Sequence, residues 1–186
     1  MKFNLDKIKP GDILAIRSST SFGRLIRIVL GSYTNHNALL VKGDDGTWMI
    51  GEAVEPCSKL TPLYKYEKAM TNGEAVIRVL RIPSSALVTE ELRQKVSDYF
   101  VAFLLGIPYP LSVFRMWVFR FVNSLPWKIE GKWCTRLCWI AWTKFIIYIF
   151  NRPDGKLKRN PTPRTMENRL IAGVVEDVTN ECIIRD

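Results

Sequence analysis

The chain has 186 residues, enough for a single domain over 1–186 whose core needs neither disulfides nor a structural metal. Hydrophobic residues at 47% and charged residues at 24% exclude a long disordered or low-complexity region. A net charge of +9 favours anionic partners such as cell-wall polymer or lipid headgroups, but the densest basic run (Lys156, Lys158, Arg159) has no interleaved aromatics and no nucleic-acid motif, so nucleic acid is not favoured.

The opening MKFNLDKIKPGDIL carries charge through its first ten residues and shows no signal-peptide core. The most apolar window, residues 137–150, is shorter than the roughly 20 residues of a membrane span and contains Lys144, so it predicts a buried core helix. Together these features predict a cytoplasmic protein. Cys57, Cys134, Cys138 and Cys182 are then expected as free thiols.

In chain order, Pro10-Gly11 is a turn signal and residues 12–17 (DILAIR) a first strand. Ser18 to Ser21 offer N-caps for a helix that ends at Gly31, with Leu25, Ile28 and Val29 on its apolar face and Arg24 and Arg27 outward. Residues 36–42 and 47–54 flank Gly-Asp-Asp-Gly and predict a hairpin; residues 74–82 make a further strand. From Thr89 the spacing of Leu92, Val96, Tyr99, Phe100 and Phe103 predicts an amphipathic helix opened by Glu90 and Glu91 and closed by Gly106. Residues 113–122 (VFRMWVFRFV) read equally as a core helix or as an exposed apolar face for an acyl chain or a membrane surface. A Pro-rich stretch over 152–164 precedes a closing strand over 171–178, and the order of strands and helices gives an α+β class.

The chemistry centres on Cys134. It begins a run that is apolar nearly all round, so its thiol would sit at the positive end of a buried helix, where thiolate is favoured and its backbone N–H could stabilise an oxyanion. Cys138, one turn further in, has apolar neighbours that disfavour thiolate. A cysteine nucleophile needs a general base, and His36 is the only imidazole in the chain. A carboxylate must orient that ring, and the hairpin brings Glu52 near it. One register sets His36 directly across from Glu52; a shift by one residue separates them unless a bulge, with Gly51 as its place, restores the pair. C-x-x-x-C on a helix is not a structural-zinc spacing, and no metal or cofactor is implied.

These residues, in this order, resemble the circularly permuted branch of the NlpC-like papain-fold cysteine hydrolases, the YiiX-like and YaeF-like amidases. The similarity runs through Gly11-Asp12-Ile13-Leu14, Asn35-His36-Asn37-Ala38-Leu39, Gly51-Glu52-Ala53, Gly106-Ile107-Pro108-Tyr109, Trp133-Cys134-Thr135-Arg136-Leu137 and Thr162-Pro163. Thr135 stands where serine is commoner, and Pro110 where an acidic residue often follows the tyrosine. The resemblance implies a papain-like, circularly permuted core, with an antiparallel sheet packed against helices that include a buried nucleophile helix. It assigns Cys134 as nucleophile, His36 as base and Glu52 as the orienting carboxylate, with Tyr33, Tyr109 and Trp133 as candidate substrate-binding residues.

The implied function is an amidohydrolase or peptidase that cleaves a peptide or N-acyl amide bond through a thioester, with peptidoglycan stem peptides one candidate substrate. A cytoplasmic enzyme would reach a cell wall by lysis or in a phage particle. A second expectation keeps the same residues for a lipid acyltransferase or thioesterase, with peripheral membrane contact through residues 113–122. A third is a non-catalytic binding module on the same fold.

Overall fold

In a computed structural model, the structure describes residues 1–85, 87–108, 138, 140–142 and 175–185. The chain opens with a two-residue strand β1 (Lys2–Phe3), then β2 (Ile13–Ser18), helix α1 (Ser21–Leu30), β3 (His36–Lys42), β4 (Trp48–Ala53), β5 (Ser58–Pro62), α2 (Leu63–Thr71), β6 (Ala75–Arg81) and α3 (Glu90–Phe103). β7 (Glu176–Asp177), a short helical turn (Thr179–Cys182) and β8 (Ile183–Ile184) follow among the described residues. The architecture is α+β. One antiparallel sheet has the order β5-β4-β3-β2-β6-β7, and β1 pairs with β8 in a second, two-stranded sheet.

Both faces of the large sheet are covered, which is why Ile13-Leu14-Ala15-Ile16 and Ala38-Leu39-Leu40-Val41 are apolar without alternation. One face carries Leu14, Ile16, Ala38, Leu40 and Ile50 and packs with Leu63 and Met70 of α2. The other carries Ile13, Ala15, Leu39 and Val41 and packs with Val96 and Phe100 of α3 and with Cys138, Ala141 and Trp142. Residues 138 and 140–142 are helical, in agreement with the helix predicted over 137–150. The expectations placed on 109–133, including the segment 113–122, and on the Pro-rich stretch lie outside the described residues.

Local chemistry accounts for the strongest elements. Gly46 at φ 79° closes the Gly-Asp-Asp-Gly turn, and Asp45 accepts from the Thr47 N–H at 2.9 Å. Thr89 caps α3 by accepting from the Leu92 N–H at 3.2 Å, with Glu90 and Glu91 in the first turn. Gly11 has φ 79°, and a Cβ there would lie 2.7 Å from the Trp142 ring; the indole also donates to the Gly11 carbonyl at 2.8 Å. The Pro-Gly turn thus seats the residues around Trp142 against the start of β2.

Four expectations need correction. β5 and α2 follow the hairpin where no element was predicted. Pro62 ends β5 and serves as the cap residue of α2, so a strand passes into a helix with no loop between them. Of the predicted strand over 171–178, the described part forms only β7, because Val178 already leads into the helical turn. α1 runs where predicted, capped by Thr20 and by Gly31 in the left-handed region, but Leu25 and Ile28 face outward and Arg27 turns in to donate to the Ser18 carbonyl at 2.6 Å. The hairpin register is neither of those considered, as described next.

Asp12, at the head of β2, anchors a buried charge cluster. Arg81 of β6 grips it bidentately at 2.9 and 2.6 Å and donates to the Lys7 carbonyl at 2.7 Å. Arg93 of α3, fully buried, approaches the same carboxylate at 3.8 Å, lies over the Trp142 ring at 5.7 Å and donates to the Ile82 carbonyl. Burial pushes the Asp12 carboxyl up against the pull of Arg81, while Asp12, overcoming the burial of Arg81, holds that guanidinium firmly protonated. The cluster ties β2, β6 and α3 together.

Candidate active site

β3 and β4 pair with Ala38 across from Glu52 and Leu39 across from Gly51. The hairpin is therefore shifted by two residues from the register that would have set His36 opposite Glu52. A shift of two preserves the face, because side chains alternate with period two. His36 and Glu52 become diagonal neighbours, within reach of long side chains. His36 Nε2 lies 2.9 Å from Glu52 Oε2. No bulge is needed, and Gly51 serves another end: a Cβ there would meet Phe100 ring carbons at 2.5, 2.8 and 2.9 Å, so glycine admits α3 against β4.

Glu52 is 4% exposed and fully partnered. Thr61 of β5 donates to Oε1, and the Tyr66 hydroxyl of α2 donates to Oε2 beside the imidazole. Burial alone would push this carboxyl up, but the bond and charge of His36, with the Thr61 and Tyr66 hydroxyls, overcome it and hold Glu52 below the usual glutamate range. Glu52 is thus an ionised, acceptor-only group, so the proton on the shared contact belongs to Nε2. In the neutral ring the lone pair then lies on Nδ1, the nitrogen that can take a proton from an attacking group.

Thr61 and Tyr66 were not singled out in the sequence. Their signal is positional: Thr61 sits two residues beyond the partner of Glu52 on β5, on the same face, and Tyr66 lies in the first turns of the helix that covers that face. Of the other expected site residues, Tyr33 is placed differently. Its ring is 43% exposed and held between Arg17 at 4.6 Å and Arg78 at 5.0 Å, which belong to the opposite face of the sheet from His36. The Tyr33 ring stacks on these guanidinium groups. Cys134, Tyr109 and Trp133 lie outside the described residues. Cys138 is buried on the face of the sheet that packs with α3, opposite to the face that carries His36 and Glu52.

Among the described residues no group of three or more His, Cys, Asp or Glu side chains is placed to hold a metal ion. Also among them, no helix is long and apolar enough to cross a membrane.

No protein-family model matches the chain, and no curated protein matches it. Among solved structures, the fold is similar to that of the metalloprotein YiiX from Escherichia coli O157:H7. The TM-score is 0.64 at 18% identity, over 91% of this chain and 96% of that one. At that identity the likeness speaks for a shared fold.

Proposed function

We propose that this YiiX-like fold carries a cysteine amidohydrolase or peptidase, with Cys134 as nucleophile, His36 as base and Glu52 as the carboxylate that orients the base. The observation that supports it is the His36–Glu52 pair: a buried, ionised carboxylate with two further donors fixes the imidazole through Nε2.

In this mechanism Nδ1 takes the proton of the Cys134 thiol, and the thiolate adds to the carbonyl carbon of an amide. The imidazolium gives its proton to the leaving amine as the C–N bond breaks, producing a thioester. Water then adds to the thioester with Nδ1 as base, the C–S bond breaks, and the thiol and a carboxylic acid are released. Glu52 stays ionised throughout and stabilises the imidazolium. YiiX is a metalloprotein, and among the described residues of this chain no group of three or more His, Cys, Asp or Glu side chains is placed to hold a metal ion.

The test is chemical. At pH 6 an ordinary thiol is well under about 1% ionised, so limited iodoacetamide should label a base-activated cysteine first. Peptide mapping should find Cys134 labelled ahead of Cys57, Cys138 and Cys182, and His36→Ala should slow it about tenfold or more. Labelling of Cys134 no faster than of the half-buried Cys57, or indifferent to His36→Ala, would remove the proposal.

A further inference from the structure

A surface helix ordinarily turns its apolar stripe toward the core and its polar side toward water. α1 turns part of its apolar stripe outward. Its inward side is Gly23, Ile26 and Arg27. A Cβ at Gly23 would meet Ser18 Oγ and Thr20 Oγ1 at 3.0 Å and Asn35 Nδ2 at 3.1 Å, and Arg27 is tied to the Ser18 carbonyl at 2.6 Å. Its outward side carries Phe22, Leu25 and Ile28, whose spacing of three forms one stripe and whose exposures are 42%, 37% and 69%. Among the described side chains of α1, Ile26 is the one large apolar group that the helix buries.

The charge that α1 itself carries is basic, while Glu74 meets the chain just before the helix through its carbonyl, which accepts from the Ser19 N–H and hydroxyl. α1 contains no Asp or Glu and carries the exposed Arg24. Through Gly31 it leads to Tyr33, whose ring holds Arg17 and Arg78. Arg78 also approaches Asp177, at 3.9 Å and at the margin of the patch. An apolar stripe bordered by guanidinium groups matches the boundary between acyl chains and anionic headgroups. A second copy is a poorer occupant: a two-fold contact would set the same arginines against one another in a protein of net charge +9.

We infer that the outward face of α1, with Leu25 and Ile28 inserted and Arg24 on headgroups, docks this protein onto an anionic lipid bilayer. The inference stands without the hydrolase proposal, since binding needs no turnover.

The test is co-sedimentation of the full chain with vesicles of phosphatidylcholine alone and of phosphatidylcholine with a minority of phosphatidylglycerol, at low and high salt. Binding should favour the anionic vesicles and weaken with salt. Leu25→Asp with Ile28→Asp should reduce affinity about tenfold or more, from the loss of two inserted side chains. Arg24→Gln, at an exposed position that leaves packing untouched, should reduce it about fivefold. Absence of binding to anionic vesicles overturns the inference, as does unchanged affinity in the folded double variant. Should the double variant fail to fold, unchanged affinity in Arg24→Gln overturns it alone. A wild-type dimer that the Leu25/Ile28 variant dissolves, with no vesicle binding, assigns the face to a second copy instead.

Discussion

The closest approach of α3 to the site strands can be tested at Gly51. Replacing it with alanine sets a methyl carbon 2.5 Å from one Phe100 ring carbon and under 3 Å from two more. An ordinary carbon–carbon contact is about 3.5–4.0 Å, so the ring or the strand must yield by about 1 Å. Phe100 is fully buried and has no open space to turn into. Overpacking of this kind costs about 1–3 kcal/mol, against a gain of about 0.5–1 kcal/mol from replacing glycine in a strand. A net loss of about 1–2 kcal/mol in a chain of this size lowers Tm by about 2–8 °C, read by circular dichroism. Phe100→Leu should relieve the clash, so that the double variant loses at least about 1 kcal/mol less than the sum of the two single losses in urea unfolding. A Tm that rises in Gly51→Ala, or single losses that add, would refute the packing argument.

Two further predictions concern charge. The folded pKa of Glu52 lies below its unfolded value, so its contribution to stability is fully present above the usual glutamate range and is lost as pH falls through the folded pKa. The stability difference between wild type and Glu52→Gln, followed by urea unfolding across acid pH, should therefore shift against the wild type as pH falls; a difference independent of pH would contradict the ionised cradle. Asp12→Ala leaves Arg81 and Arg93 buried without their shared carboxylate and should cost about 3–5 kcal/mol. A loss under about 1 kcal/mol in the same assay would show that water reaches those guanidinium groups.

The parts of the fold governed by local chemistry are legible in the sequence. The Gly-Asp-Asp-Gly turn announces the hairpin, Thr89 with Glu90 and Glu91 announces α3, and Pro10-Gly11 announces the start of β2. The His36–Glu52 pair is legible because the period of two constrains parity. The exact register is not, since a two-residue shift leaves the hydrophobic pattern on the same faces. β5 and α2 are hidden because Pro62 joins them directly and Lys59, Lys65 and Lys68 dilute both periodicities. The orientation of α1 is hidden for a different reason. Amphipathicity says which residues share a stripe, and only the tether of Arg27 to Ser18, with Gly23 against Thr20 and Asn35, decides which side faces the protein. Thr61 and Tyr66 depend on β5 and α2, so the support of the carboxylate could not be read before those elements were in place.

His36, Glu52 and both hydroxyls that hold the carboxylate come from one uninterrupted stretch of chain, His36 to Tyr66. A gene rearrangement that moves the chain's starting point anywhere outside that stretch would carry this hydrogen-bonded unit across whole.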